Sequence, residues 1–321
     1  MLVHGQAGAA ELLVASLAAA RAAGSDVLAR DLRAVADAAA APGRQLCSLA
    51  VDAARGEVLA AVACGDLRRA SQLAVLVPGA GTGPTDLPRM CADADGIVEL
   101  AEAMAARTCD ESGTAVVVWL GYRPPQVAHA WLDRERSVAS ARVAEAAGAG
   151  LAGFCASLPK LPLTVVGHSY GSVVAGQAAA AVAKAGGRLC DRLVAAGSPG
   201  LGFASLAALG VRGPQVFVLE AAGDAVAGLG WFGADPDRLA GVRRLSTRKG
   251  PGTSAARGHC HYLQAGTTAA WNIAAVCGGR LADAVAEDGR SLYARMLSPV
   301  KDVALGWAAR RYHQRDGRRG R

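Results

Sequence analysis

A glycine–serine–glycine pentapeptide stands at the centre of LPLTVVGHSYGSVVA, residues 161–175, as Gly167-His168-Ser169-Tyr170-Gly171. The apolar run before it has the length of a buried strand, and the Val- and Ala-rich residues after it suit a helix. G-x-S-x-G between a strand and a helix is the pattern of a nucleophile elbow, a sharp turn that exposes a serine hydroxyl. The glycines indicate that the strand and helix backbones come too close for a Cβ atom. The pattern therefore predicts that Ser169 is a reactive nucleophile.

The pentapeptide alone is a weak signal, because the chain has 40 glycines among 321 residues. Its context is more informative. The sequence predicts strands at 45–51, 57–63, 72–77, 114–120, 163–166, 192–196, 215–219 and 242–246. It predicts helices over most of 6–42, at 92–107, 134–157 and 171–185, and from about residue 267. After a first hairpin, strands alternate with helices, which predicts an α/β fold with a mostly parallel sheet and helices on both faces.

Length and charge suggest three parts. We expect an N-terminal helical extension at 1–42, one α/β domain at 43–300 and a basic C-terminal tail at 301–321. The net charge is +7, and residues 310–321 hold six arginines and one aspartate. The positive charge is thus concentrated in the tail rather than spread over a face, so we expect a solvated terminus and no nucleic-acid partner.

Composition also argues against a membrane span, a zinc site and a disulfide framework. No apolar run reaches the length of about 18 residues that a transmembrane helix needs. The N-terminus lacks a Lys/Arg-rich start and contains Glu11, so we interpret it as a helix of a cytoplasmic protein rather than a signal peptide. The eight cysteines are scattered, with no C-x-x-C pair. We therefore expect neither a metal nor an organic cofactor. The oligomeric state has no sequence signal.

A serine nucleophile needs a base, and the base needs a carboxylate to orient it. In enzymes with this kind of elbow the order along the chain is Ser, Asp or Glu, then His. Asp224 follows one predicted strand, and a polar loop after the next strand carries His259 and His261. The carboxyl ends of such strands are where an open α/β sheet places its chemistry. Two other acidic residues compete with Asp224: Glu220 and Asp235.

Two backbone N–H groups are expected to stabilise the oxyanion. One belongs to Tyr170, the residue after the nucleophile, and the other to the glycine-rich loop after the strand at 72–77. Within that loop, Gly79 or Ala80 is the expected donor.

Six segments carry a resemblance to a known family. They are LVPGAGT (76–82), VVVWLGYRPP (116–125), TVVGHSYGSVVAG (164–176), VAAGSPGLG (194–202), GDAVAG (223–228) and RGHCHYLQAG (257–266). With these segments the chain resembles an actinobacterial α/β-hydrolase family of unknown function. The resemblance implies an α/β-hydrolase fold and a triad of Ser169, Asp224 and His259. The family's histidine loop is Gly-His-Ser-Ser-Tyr, whereas this chain has Gly-His-Cys-His-Tyr at 258–262, and position in the loop favours His259 over His261.

These residues predict an esterase-like serine hydrolase that acts on a small-molecule acyl substrate. Ser169 would attack the acyl carbonyl, His259 would move the proton, and Asp224 would orient the imidazole. An acyltransferase that uses the same three residues is one alternative. A catalytically silent α/β-hydrolase scaffold that serves as a binding module is another, although the ordered set of three groups argues against it.

Overall fold

The computed structural model describes residues 2–4, 6–109, 112–126, 140–212 and 215–287, and within them it contains a nine-stranded sheet. The strands are β1 (Leu2–His4), β2 (Arg44–Asp52), β3 (Glu57–Cys64), β4 (Ala70–Val77), β5 (Gly113–Leu120), β6 (Leu163–His168), β7 (Arg192–Ala196), β8 (Val216–Leu219) and β9 (Arg243–Arg244). The α-helices are α1 (Gln6–Ala22), α2 (Asp26–Ala40), α3 (Leu87–Ala106), α4 (Arg142–Ser157), α5 (Tyr170–Lys184) and α6 (Thr268–Cys277). Strand order across the sheet is β1-β2-β3-β5-β4-β6-β7-β8-β9.

The sheet has an antiparallel edge and a parallel body. β1, β2 and β3 pair antiparallel with one another, and β3 pairs antiparallel with β5. From β5 through β4, β6, β7 and β8 to β9, every neighbouring pair is parallel. The carboxyl ends of β6, β7 and β8 therefore meet at one edge of the sheet, and the residues that follow β6 and β8 lie there.

Helices cover both faces, as the alternation of strands and helices predicts. Along β4, Leu73 and Val75 face the cluster that contains α4 and α5, whereas Ala74 and Leu76 face the cluster that contains α1, α2, α3 and α6. The central strands are buried on both faces, which is why their sequences are continuous apolar runs rather than alternating patterns. The predicted α/β class with a mostly parallel sheet is confirmed.

The N-terminal helices pack directly on the sheet. Leu32 and Val35 of α2 are fully buried in the same cluster as residues of β2, β3 and α3. Arg44 of β2 links α2 to α3 through polar contacts. Its guanidinium donates to Asp95 Oδ2 of α3 at 2.6 and 2.9 Å and to the carbonyl of Ala38 of α2 at 3.1 Å. The proposed boundary after residue 42 thus falls between elements that share one core.

Several predicted boundaries differ from the structure. The helix predicted at 92–107 begins five residues earlier, at Leu87, because Pro88 in its first turn is compatible with a helix start. The strand predicted at 242–246 is only Arg243–Arg244, at the edge of the sheet. The region predicted as mainly helical at 6–42 is two helices, and β1 precedes them without having been predicted. The first residues of the helix predicted at 134–157, and the basic tail, lie outside the described residues.

Within the described parts of the chain, no helix is both long enough and apolar enough to cross a membrane.

Replacing Leu32 with alanine tests whether the N-terminal helices belong to the same cooperative unit as the sheet. Leu32 is 0% exposed, so we expect a loss of about 2–5 kcal/mol in the free energy of unfolding. Urea unfolding followed by circular dichroism should show one transition at a lower midpoint. Val27→Ala is the matched control on α2, because Val27 is 58% exposed and its truncation should change stability by less than about 0.5 kcal/mol. A separate early transition for Leu32→Ala would contradict the shared unit.

Candidate active site

Ser169 occupies a strained turn between β6 and α5. Its backbone lies at φ 54° and ψ −128°, a left-handed region that non-glycine residues rarely enter. The flanking glycines are required by close approach: a Cβ at Gly167 would overlap the backbone of Ser172, and one at Gly171 would overlap the carbonyl oxygen of Val77. The turn therefore has the geometry of the predicted elbow and presents the Ser169 hydroxyl at the carboxyl edge of the sheet.

His259 lies between Ser169 and Asp224. Its Nε2 is 2.7 Å from Ser169 Oγ, and its Nδ1 is 2.9 Å from Asp224 Oδ1 and 3.0 Å from Oδ2. An ionised carboxylate only accepts hydrogen bonds. Nδ1 therefore carries the hydrogen atom and donates a hydrogen bond to Asp224. In the neutral imidazole Nε2 is then the acceptor for the Ser169 hydroxyl. Ser169 directly follows β6, Asp224 lies in the loop after β8, and His259 lies in the loop between β9 and α6.

Asp224 is buried, 2% exposed, and surrounded by donors. Its Oδ1 accepts the backbone N–H groups of Val226 at 2.8 Å and Ala227 at 3.0 Å. Burial alone would raise the pKa of its carboxyl, but the hydrogen bonds from His259, Tyr262 and Ala227 outweigh burial and lower that pKa to about 2. Asp224 is therefore ionised throughout the neutral pH range, and its carboxylate accepts the hydrogen bond from His259 Nδ1–H.

Tyr262 is a further polar partner of the acid. Its hydroxyl donates to Asp224 Oδ2 at 2.6 Å and accepts the backbone N–H of Ala221 at 2.8 Å. The side chain is 1% exposed, and burial, followed by the negative charge of Asp224, raises the pKa of the phenol well above its ordinary value. Tyr262 thus remains a donor, and it ties the histidine loop to the end of β8.

The expected oxyanion donors lie beside Ser169. Tyr170 is the first residue of α5, and the first N–H groups of a helix have no acceptor within that helix. The loop after β4 passes so close that a Cβ on Gly79 would lie 2.7 Å from Ser169 Cβ, so this position admits only glycine. Thr82 Oγ1 closes the loop by donating to the carbonyl of Gly79 at 2.7 Å. Ala80 follows in the same loop and is half-buried.

Two buried tyrosines hold this region in place. Tyr122, just after β5, donates its hydroxyl to the carbonyl of Pro78 at 2.5 Å. The hydroxyl of Tyr170 donates to the carbonyl of Ser140 at 2.6 Å and accepts the N–H of Ala144 at 3.1 Å. The Tyr122 contact fixes the loop after β4, and the Tyr170 contacts fix the start of α4 against the elbow.

The alternative acid and base residues have other partners. His261 is exposed, and its Nδ1 lies 2.5 Å from the carbonyl of Arg257. Asp235 caps a short 3-10 helix through the N–H of Asp237 at 3.0 Å. Glu220 follows β8 directly, and its backbone carbonyl accepts from Thr247 Oγ1 at 2.7 Å. Of the candidate nucleophile, base and acid residues named from the sequence, the structure brings Ser169, His259 and Asp224 into contact.

Phe232 packs against the start of α5. It is buried, and its ring makes a T-shaped contact with the Tyr170 ring at a centroid distance of 5.5 Å. By sequence the segment 124–133 suits either a pocket lining or a surface loop, and its residues His129 and Trp131 lie outside the described residues. Within the described part of the chain, no group of three or more His, Cys, Asp or Glu side chains is arranged to hold a metal ion.

Sequence reasoning missed two polar side chains at the site. Tyr262 stands three positions after His259, where the resembled family also has tyrosine, so its place in the loop was an available signal. His168 directly precedes the nucleophile, and its place at the end of a predicted strand favours a packing or pocket-wall role over that of a base. The structure gives it a hydrogen-bonding contact, with Nε2 2.8 Å from the backbone oxygen of His259. No local pattern reports a contact between residues 91 positions apart.

The match to a family model agrees with this architecture. Residues 52–234 match the family described as Alpha/beta hydrolase. Uncharacterized proteins of Mycobacterium tuberculosis and Mycobacterium bovis are each 32% identical over 251 residues, which cover 72% of this chain and 88% of each relative. A solved Pyrobaculum calidifontis esterase in a monoclinic crystal form is 14% identical over 80% of this chain and 91% of that chain, with a TM-score of 0.45. A Thermus thermophilus structure is 16% identical over 72% and 95% of the two chains, with a TM-score of 0.37.

The lowered pKa of Asp224 predicts a dependence of stability on pH. Because the folded-state pKa of about 2 lies below the ordinary value of 3.8, ionised Asp224 stabilises the fold fully above pH 4, and this stabilisation is lost as the pH falls toward 2. We expect Asp224→Asn to cost about 2 kcal/mol in the free energy of unfolding at neutral pH, with the difference from wild type narrowing toward pH 2.

Urea unfolding at a series of pH values between 6 and 2 measures this difference. Asp26→Asn is the matched control, because Asp26 is exposed on α2. Its difference from wild type should stay small and nearly constant. A difference for Asp224→Asn that does not depend on pH would contradict the assignment of an ionised, hydrogen-bonded carboxylate.

Proposed function

Because the chain belongs to the alpha/beta hydrolase family, we propose that it is an esterase-like serine hydrolase with Ser169, His259 and Asp224 as its triad. The observation that carries the proposal is one continuous chain of hydrogen bonds. It runs from Ser169 Oγ through the imidazole of His259 to the carboxylate of Asp224, with contacts of 2.7 and 2.9 Å. These three groups are the nucleophile, base and orienting acid of acyl transfer.

In the proposed first step, Ser169 Oγ attacks the carbonyl carbon of an ester. His259 Nε2 accepts the hydroxyl proton as the bond forms, and Asp224 stabilises the resulting imidazolium through Nδ1–H. The negative charge moves to the carbonyl oxygen, where the N–H of Tyr170 and an N–H of the 79–80 loop donate to it. Collapse of this tetrahedral intermediate returns the proton from His259 to the departing alcohol and leaves an acyl group on Ser169.

In the proposed second step, water replaces the alcohol. His259 takes a proton from the water as the water attacks the acyl-enzyme. Collapse of the second tetrahedral intermediate breaks the bond to Ser169 Oγ, returns that proton from His259 to Oγ and releases the acid. An alcohol acceptor in place of water would give acyl transfer through the same groups. Every charge that develops in these steps has a partner among the side chains and N–H groups described above, so the proposal needs no further group from the protein.

Covalent labelling by a fluorophosphonate probe tests the nucleophile. The wild type should be labelled at Ser169, because the probe's phosphorus is attacked by an activated serine, and Ser169→Ala should not be labelled. Ser205→Ala is the control, because Ser205 is an exposed serine before a short 3-10 helix and its side chain makes no capping hydrogen bond. No labelling of the folded wild type would reject the enzyme and favour a silent binding scaffold.

A pair of histidine variants tests the base. With p-nitrophenyl esters of increasing chain length as substrates, we expect His259→Ala to lower kcat/KM by about 10³-fold or more. We expect His261→Ala to stay within about threefold of wild type, because a surface substitution outside the site changes little. The reverse result would move the base to His261. The chain-length series also gives the acyl length that the wild type prefers.

A further inference from the structure

The side chain of His168 joins the elbow to the loop that carries His259. Its Nε2 lies 2.8 Å from the backbone oxygen of His259. A carbonyl oxygen only accepts hydrogen bonds. Nε2 of His168 therefore carries the hydrogen atom and donates the hydrogen bond. Two consecutive residues therefore hold both ends of His259: His168 holds its backbone, and Ser169 Oγ meets its ring at 2.7 Å.

This contact matters because the loop between β9 and α6 has little regular structure. Among the described residues it contains isolated bridges but no helix or extended strand. Its position therefore depends on individual hydrogen bonds. The N–H of Gly258 donates to the carbonyl of Ala222 at 2.9 Å, which fixes the residue before His259. The His168 contact fixes His259 itself, at the point where the imidazole must meet Ser169.

The surroundings of His168 suit a neutral donor. Its ring centroid lies 5.0 Å from that of His259 and 5.8 Å from that of Tyr262. Burial, followed by the neighbouring His259 ring, lowers the pKa of His168 to about 4. A protonated His168 would bring a positive charge within 5.0 Å, between ring centroids, of the imidazolium that the proposed mechanism forms on His259. A neutral His168 holds the loop without that repulsion.

We infer that His168 is a positioning residue whose Nε2–H sets the backbone of His259, so that the imidazole stays aligned between Ser169 and Asp224. The inference rests on the proposed function of those three residues. It adds a role for a side chain that acts through the backbone of His259.

Two substitutions separate the hydrogen bond from the packing of the ring. His168→Phe keeps an aromatic ring between His259 and Tyr262 but has no donor. His168→Gln keeps a donor, because its Nε2 is separated from Cβ by the same number of bonds as Nε2 of histidine. Circular dichroism and urea unfolding first establish that both variants are folded.

The kinetic measurement uses a p-nitrophenyl ester and the fluorophosphonate probe. For His168→Phe we expect kcat and the labelling rate to fall about 10- to 100-fold while KM changes by less than about threefold, because misalignment of the base affects the reacting state and not substrate binding. For His168→Gln we expect recovery to within about fivefold of wild type. Unchanged kcat in His168→Phe, or equal losses in both folded variants, would overturn the inference.

A second measurement does not depend on turnover. Proton NMR should show a downfield resonance from His259 Nδ1–H bonded to Asp224, which Asp224→Asn identifies by its absence. We expect the resonance in wild type and His168→Gln, and its loss or broadening in His168→Phe. Its persistence in His168→Phe would overturn the inference. If the folded wild type is not labelled by the probe, the proposed function fails, and this resonance still decides the role of His168.

Discussion

The backbone of Ser169 is the constraint on which the site depends. A non-glycine residue at φ 54° costs about 1–3 kcal/mol and persists only when its surroundings impose it. Here they do so from both sides. The N–H of Ser169 donates to the carbonyl of Ala196 in β7 at 2.9 Å, and its carbonyl accepts from Ser172 Oγ at 2.6 Å. The following helix is buried along most of its length, so the turn cannot relax without moving α5 out of the core.

The parallel sheet converts this single turn into a multi-residue site. Ser169 follows β6, Asp224 follows β8, and these strands are next-nearest neighbours with β7 between them. Their carboxyl ends share one edge, so residues 55 positions apart in the chain come within reach of one imidazole. His259 bridges them from a loop whose placement relies on side-chain contacts. Tyr262 binds it to Asp224, and His168 binds it to the elbow. Positioning is thus shared between a rigid sheet and a small set of buried hydrogen bonds.

The two segments expected to supply oxyanion donors are positioned in the same way. The strand β4 and the helix α5 bring Gly79 and Tyr170 to Ser169, and the absence of a Cβ at Gly79 allows the close approach. The hydroxyls of Tyr122 and Tyr170 then connect these segments to the ends of β5 and α4. Because a buried carbonyl or N–H without a partner is costly, each of these contacts also stabilises the fold by pairing a buried backbone group.

Local patterns in the sequence determined the class of fold and the order of the chemistry. Apolar runs such as residues 72–77 mark strands buried on both faces, and G-x-S-x-G marks the elbow, because burial and close approach limit which residues fit. The same reasoning identified Asp224 as the acid and, after it in the chain, His259 and His261 as the two possible bases. His259 was favoured over His261 by its position in the resembled family's loop. The contact of His259 with Ser169, the phenol of Tyr262 on Asp224 and the donor from His168 were decided by the tertiary structure. These contacts join residues that are distant in the chain or face each other across irregular loops, where no periodicity records which side chains meet. The edge strand β1 and the short extent of β9 could not be predicted from local sequence, because pairing with a neighbouring strand, rather than the composition of two or three residues, defines them.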